Sequence, residues 1–175
     1  MVVSAAPEGI TTAFSSVKIM PSILFVCTGN QCRSPFAAEL FKSHLKDKNL
    51  VDSWRVDSAG TWTRPGAKVP AFWHSLSFAH GINLGAHRSR SVSDCSLQDY
   101  DLIVVMEKGH KESLIVEFPF VRGKIYLLSE LAGFLPYDIA DPVQEDDETA
   151  NEIFLDVKDC VAKAADPIID RLKFI

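Results

Sequence analysis

One stretch limits what this chain can become more than any other: Ser22-Ile23-Leu24-Phe25-Val26-Cys27-Thr28-Gly29-Asn30-Gln31-Cys32-Arg33-Ser34-Pro35. The run from Ile23 to Val26 is apolar without alternation, the pattern of a strand covered on both faces. It ends on Cys27, and after five intervening residues comes Arg33. Ser34 followed by Pro35 then reads as a helix start, with Ser at the cap and Pro at the first helical position. A strand, a glycine-containing loop and a helix would thus bring a thiol, a guanidinium and a row of backbone N–H groups to one place. Such a loop is an anion nest, and the helix behind it adds its positive end. Arg33 adds a charge whose planar fork matches two phosphoryl oxygens at once. Gly29 lets the backbone approach an anion closely. The same donors favour a thiolate, the form of cysteine that attacks. The stretch therefore reads as a site where a thiolate meets a phosphoryl group.

The rest of the chain supplies the frame. Trp54 to Ser58, Asp101 to Met106 and Lys124 to Leu128 read as three further strands. Helical spacing is expected to about Lys48, from Pro70 to a stop at Gly81, up to about Val116, and along Ile153, Phe154, Val157, Cys160, Val161 and Ala164. Asp166-Pro167 is expected to kink or restart that last helix. Strands alternating with helices predict an α/β fold, three-layer α/β/α with a four-stranded parallel sheet of Rossmann-like or flavodoxin-like type. Its ligand belongs beyond the carboxyl ends of the strands, where Cys27 falls.

At 175 residues one domain is expected over 21–175, preceded by a flexible tail over 1–20. A net charge of −5 disfavours nucleic acid as a partner. No apolar run approaches the roughly 18 residues of a membrane span. Four cysteines in 175 residues are too few for a secreted disulfide scaffold, which points to the cytoplasm. Their spacing offers no zinc site, and neither metal nor cofactor is expected. Residues alone give Cys95 and Cys160 structural positions and leave His44, His74, His80 and His110 without a role. Asp141-Pro142, in an acidic loop from Phe134 to Glu148, reads equally as a turn starter and as an acid on a different loop from the thiolate.

Val26 to Pro35 resembles the phosphate-binding loop of low-molecular-weight protein tyrosine phosphatases. Trp54-Arg55-Val56-Asp57-Ser58-Ala59-Gly60-Thr61, His80-Gly81-Ile82-Asn83, His87-Arg88-Ser89-Arg90 and Asp101 to Met106 are similar to further segments of that family, and Asp141-Pro142 to its general-acid pair. The resemblance implies that Cys27 becomes a phosphocysteine and that Arg33 binds phosphate with the loop residues Thr28, Gly29, Asn30, Gln31, Cys32 and Ser34. It implies that Asp141 is general acid and then base, and that Ser58 and His87 support the loop together with Asn30 and Ser34. Cys32 matches a cysteine that traps oxidised Cys27 as a disulfide. The substrates implied are phosphorylated proteins; the sequence does not fix the oligomeric state, monomer or weak dimer.

The sequence departs from the family pattern in three places. Val143 and Gln144 follow the Asp-Pro pair where phosphotyrosine enzymes often carry aromatics, so Trp62 and Tyr137 are left as candidate cleft walls. Gln31 stands where bacterial relatives often have isoleucine and arginine phosphatases have threonine. Glu107 replaces a frequent aspartate. Protein-arginine phosphatase is therefore the first alternative activity. A thiol-linked arsenate reductase would need resolving cysteines near the third strand, where Cys95 stands alone. A module that holds phosphate without hydrolysing it is disfavoured by the presence of Asp141.

Overall fold

The protein is described from a computed structural model, which defines residues 20–173. The tail expected over 1–20 lies, but for Met20, outside the described residues.

Four strands form one parallel sheet: β1 (Ser22–Cys27), β2 (Arg55–Gly60), β3 (Leu102–Val105) and β4 (Ile125–Leu127), in the order β2-β1-β3-β4. β1 is central, pairing Cys27 with Gly60 on one side and Val26 with Val105 on the other. Every residue of β1 is buried, as its unbroken apolar run requires. Because side chains alternate across a strand, Ile23, Phe25 and Cys27 enter one core while Leu24 and Val26 enter the other.

The first core is covered by α1 (Arg33–Asp47) and α5 (Asp147–Leu172), with Trp73 of α2 (Ala71–Ala79) wedged against Phe36 and Phe154. The second is covered by α3 (Lys108–Glu117) and the short turns around Leu97 and Val121. A single turn, α4 (Leu128–Leu131), follows β4 directly. These are the three layers expected from the alternating pattern.

Two expectations fail locally. Helix α1 begins at Arg33, with Cys32 at its cap and no side-chain cap bond, so Ser34 is inside the helix. Its hydroxyl is engaged elsewhere, as described below. Helix α5 runs without a break through Pro167. Ala164, Ala165, Ile168, Ile169 and Leu172 are buried on both sides of that proline, and their packing outweighs the missing N–H. No helix among the described residues is long and apolar enough to cross a membrane.

Candidate active site

The loop leaving β1 is tied down by its neighbours rather than by itself. Thr61 and Trp62 donate their N–H groups to the carbonyls of Cys27 and Thr28, at 2.9 and 3.0 Å. Thr63 Oγ1 donates to Gly29 O at 2.6 Å. Gly60 makes the approach possible: a Cβ there would stand 2.5 Å from Thr28 O. With the carbonyls turned out to these partners, the N–H groups of residues 28 to 32 donate to no acceptor among the described residues. They are a row of free donors ahead of the N-terminus of α1.

Cys27 is buried at the base of this loop, with Ser34 Oγ 3.1 Å from its sulfur. That hydroxyl is set by Asn30, which takes up the left-handed conformation at φ 52° and is fully buried. Asn30 Nδ2 donates to Ser34 Oγ at 3.0 Å and to Ser58 Oγ at 2.9 Å. Asn30 Oδ1 accepts from the Arg90 N–H at 2.9 Å, and Asn30 O accepts from His87 Nε2 at 2.8 Å. A carbonyl can only accept, so His87 carries its proton on Nε2. Burial lowers the His87 pKa below its ordinary value, so the neutral ring supplies that proton at pH 7. With its oxygen occupied by Asn30, Ser34 has one proton, shared between Ala59 O at 3.2 Å and the sulfur. A thiolate claims it, because charge-assisted bonds are the stronger ones. This is why Ser34 is no cap.

Arg33 is 1% exposed and anchored on one side. Nη1 binds Glu107 and, at 2.7 Å, the Ile139 carbonyl. Nη2 binds Asp141 Oδ2 at 2.7 Å and Thr28 Oγ1 at 3.2 Å. Burial opposes its charge, but Cys27, Asp141 and Glu107 outweigh it and hold the guanidinium above its ordinary pKa. Nε is buried with no partner, a donor kept for something that the described residues do not provide. Asp141 is fixed at its other oxygen by the Val143 N–H at 3.2 Å. Its loop is sewn to the end of β3 by Ile139 N–H to Met106 O at 2.9 Å.

A cavity of about 440 Å³ opens over this centre, lined by Thr28, Trp62, Asp141, Val143, Gln144 and Glu145. Trp62 is one wall, 85% exposed. Tyr137 is not in that lining, and its hydroxyl bonds Asp156 and Cys160 on α5, the latter at 3.2 Å. Val143 and Gln144 line the cleft instead. Gln31 does not lie loose in the loop, since Nε2 donates to Lys68 O at 2.7 Å. Cys32 is buried, and burial together with Cys27 pushes its thiol pKa up.

Three residues at the centre carry no role assigned from the sequence. Arg90 clamps Asn30, Glu107 holds Arg33, and His110 stands 2.9 Å from Thr28 Oγ1. The chain gives no local signal for them, because each acts through a contact more than fifty residues away.

Comparison with known proteins agrees with this geometry. Residues 22–173 match the family described as low molecular weight phosphotyrosine protein phosphatase. A protein-arginine-phosphatase of Geobacillus stearothermophilus is 35% identical over 120 residues, 69% of this chain and 77% of the relative. The low molecular weight protein-tyrosine-phosphatase Wzb of Escherichia coli K12 is 32% identical over 133 residues, 76% of this chain and 85% of Wzb. The crystal structure of Wzb from Escherichia coli K30 in complex with sulphate superposes with a TM-score of 0.73 at 27% identity, covering 84% of this chain and 97% of that one. With the buried thiol, the paired guanidinium and the open row of amides on one parallel sheet, the match over nearly all described residues makes this chain a member of the low-molecular-weight protein-tyrosine-phosphatase family of enzymes.

Proposed function

We propose that the protein hydrolyses phosphotyrosine in proteins through a phosphocysteine on Cys27. The observation that carries this is the set of free donors around one sulfur: the amides of residues 28 to 32 and the unpartnered Arg33 Nε. They match three phosphoryl oxygens and stabilise the charge that spreads over them in the transition state. The Cys27 thiolate attacks phosphorus, an S–P bond forms and the P–O bond to the tyrosine oxygen breaks. Asp141 gives its proton to that oxygen. Water then attacks the phosphocysteine, Asp141 takes the proton, the S–P bond breaks, and phosphate leaves with the thiolate restored. Each covalent step is easier than direct hydrolysis. Asp141 reaches the site from its own loop, held by Arg33 Nη2 and released when phosphoryl oxygens take that nitrogen.

Phosphoarginine in proteins is the second substrate, favoured by Val143 and Gln144 where an aromatic wall would stack on a tyrosine ring, and by the likeness to a protein-arginine-phosphatase. Initial rates on matched phosphotyrosine and phosphoarginine peptides, with Cys27→Ser as blank, decide between them. Faster Cys27-dependent turnover of the tyrosine peptide is expected. A blank as active as the parent would refute the mechanism.

A further inference from the structure

His110 lies in the first turn of α3 and is 6% exposed. Nε2 is 2.9 Å from Thr28 Oγ1 and 3.7 Å from Glu107 Oε1. Nδ1 is buried with no partner among the described residues. These contacts fix where the ring proton sits. A neutral imidazole has one N–H and one lone pair. A buried N–H without an acceptor is rarer than a buried acceptor with a free lone pair. The Glu107 carboxylate beside Nε2 also favours a hydrogen there rather than a lone pair. The proton therefore belongs on Nε2, which donates to Thr28 Oγ1.

Thr28 then has two donors on one oxygen. Arg33 Nη2, which can only donate, reaches it at 3.2 Å, and His110 Nε2–H at 2.9 Å. A hydroxyl has two lone pairs and one proton. Both lone pairs are filled, and the proton is all that remains. Thr28 lines the cavity alongside Asp141 and Trp62. We propose that His110 is a positioning residue which, with Arg33, occupies both lone pairs of Thr28 Oγ1 and so turns the hydroxyl proton toward the bound phosphoryl group. Thr28 thereby adds a side-chain donor to the loop amides. The inference rests on the reading of Cys27 and its loop as the phosphoryl site. It also explains the buried histidine, for which packing alone would prefer an apolar side chain.

The test uses the full chain with three variants, Thr28→Val, His110→Phe and His110→Gln, and the double variant Thr28→Val/His110→Phe. Thr28→Val and His110→Phe should each lower kcat/KM by about tenfold or more, as loss of an oxyanion donor does. Both should weaken inhibition by inorganic phosphate, with the thermal midpoint near that of the parent. The double variant should be no slower than Thr28→Val, because the two side chains act as a unit. His110→Gln, whose amide N–H can still donate to Thr28, should recover most of the activity. Independently of turnover, the His110 ring in the parent should show a protonated Nε2 and an unprotonated Nδ1 by nitrogen NMR. Losses that multiply in the double variant, unchanged kcat/KM in Thr28→Val, or a proton on Nδ1 each overturn the proposal. If His110→Phe does not fold, Thr28→Val and the NMR signature still decide it. If the parent is active, Cys27→Ser is dead and the Thr28 and His110 variants match the parent, this inference alone fails and the phosphatase reading stands.

Discussion

At the scale of single residues, the site depends on groups that orient others rather than on groups that react. Asn30 is the clearest case. Its amide and backbone carbonyl join Ser34, Ser58, His87 and Arg90, and its left-handed backbone lets the loop turn where it does. Asn30→Ala strips both Oδ1 and Nδ2 and leaves the Arg90 N–H buried without an acceptor. It should destabilise the protein by about 3 kcal/mol, the sum of two or three such losses, visible as a lower urea midpoint. Phosphate affinity should fall with it, because Ser34 loses the donor that aims its proton at Cys27. An unchanged midpoint would show that water replaces the amide without cost. Cys27 and Arg33 were legible in the sequence as a thiol and a guanidinium on one strand–loop–helix, whereas Asp141 stood out through the resemblance of Asp141-Pro142 to the family's general-acid pair. His110 was not: a lone histidine on a helix face gives no sign of a threonine eighty residues away.

At the scale of elements, the sequence showed the strand–loop–helix at Cys27 because an apolar run, a glycine and a proline mark its parts. It misplaced the start of α1 by two residues, since Ser34 reads as a cap until the sulfur and Asn30 compete for its hydroxyl. It misjudged Tyr137 for a related reason. The ring lies near the cleft in sequence, but its hydroxyl bonds Asp156 on α5. The helix does not restart at Pro167, because a local rule met a tertiary one. Its exposed ring sits between buried residues of a helix packed along α1 and the sheet. Pro167→Ala restores a backbone N–H to the ladder. Against a gain of up to about 3 kcal/mol stands the lost restraint on the unfolded chain, worth roughly 0.4–1 kcal/mol. The variant should therefore raise stability by about 1–2 kcal/mol in urea unfolding. A lower midpoint would mean that the restraint on the unfolded chain outweighs the missing hydrogen bond.

At the scale of the whole molecule, buried titratable groups set the pH range of stability. Burial lowers the pKa of His87 and of His110, the latter against the pull of Glu107. Below about pH 6.5 the unfolded chain takes up protons on these rings before the fold does, so stability rises with pH there and is lost on acidification. Burial raises the thiol pKa of Cys32, and that of Cys160 to about 11. These thiols keep their protons in the fold above pH 9, where the unfolded chain has lost them, so stability falls again as pH rises. Calorimetry should show a plateau between about pH 6.5 and 9, falling on the acid side by on the order of 1 kcal/mol per pH unit. A midpoint constant from pH 7 to 5 would contradict the neutral rings.

The chemistry turns on one sulfur. It is tested most directly by mixing the Asp141→Asn variant with an aryl phosphate, quenching within the first turnovers, and mapping the digested protein by mass. With Asp141 gone, breakdown of the intermediate slows, and one phosphoryl group is expected on the peptide that carries Cys27. None is expected in Cys27→Ser/Asp141→Asn. Continued hydrolysis with no phosphoryl group on Cys27, or with the group on another residue, would contradict this chemistry.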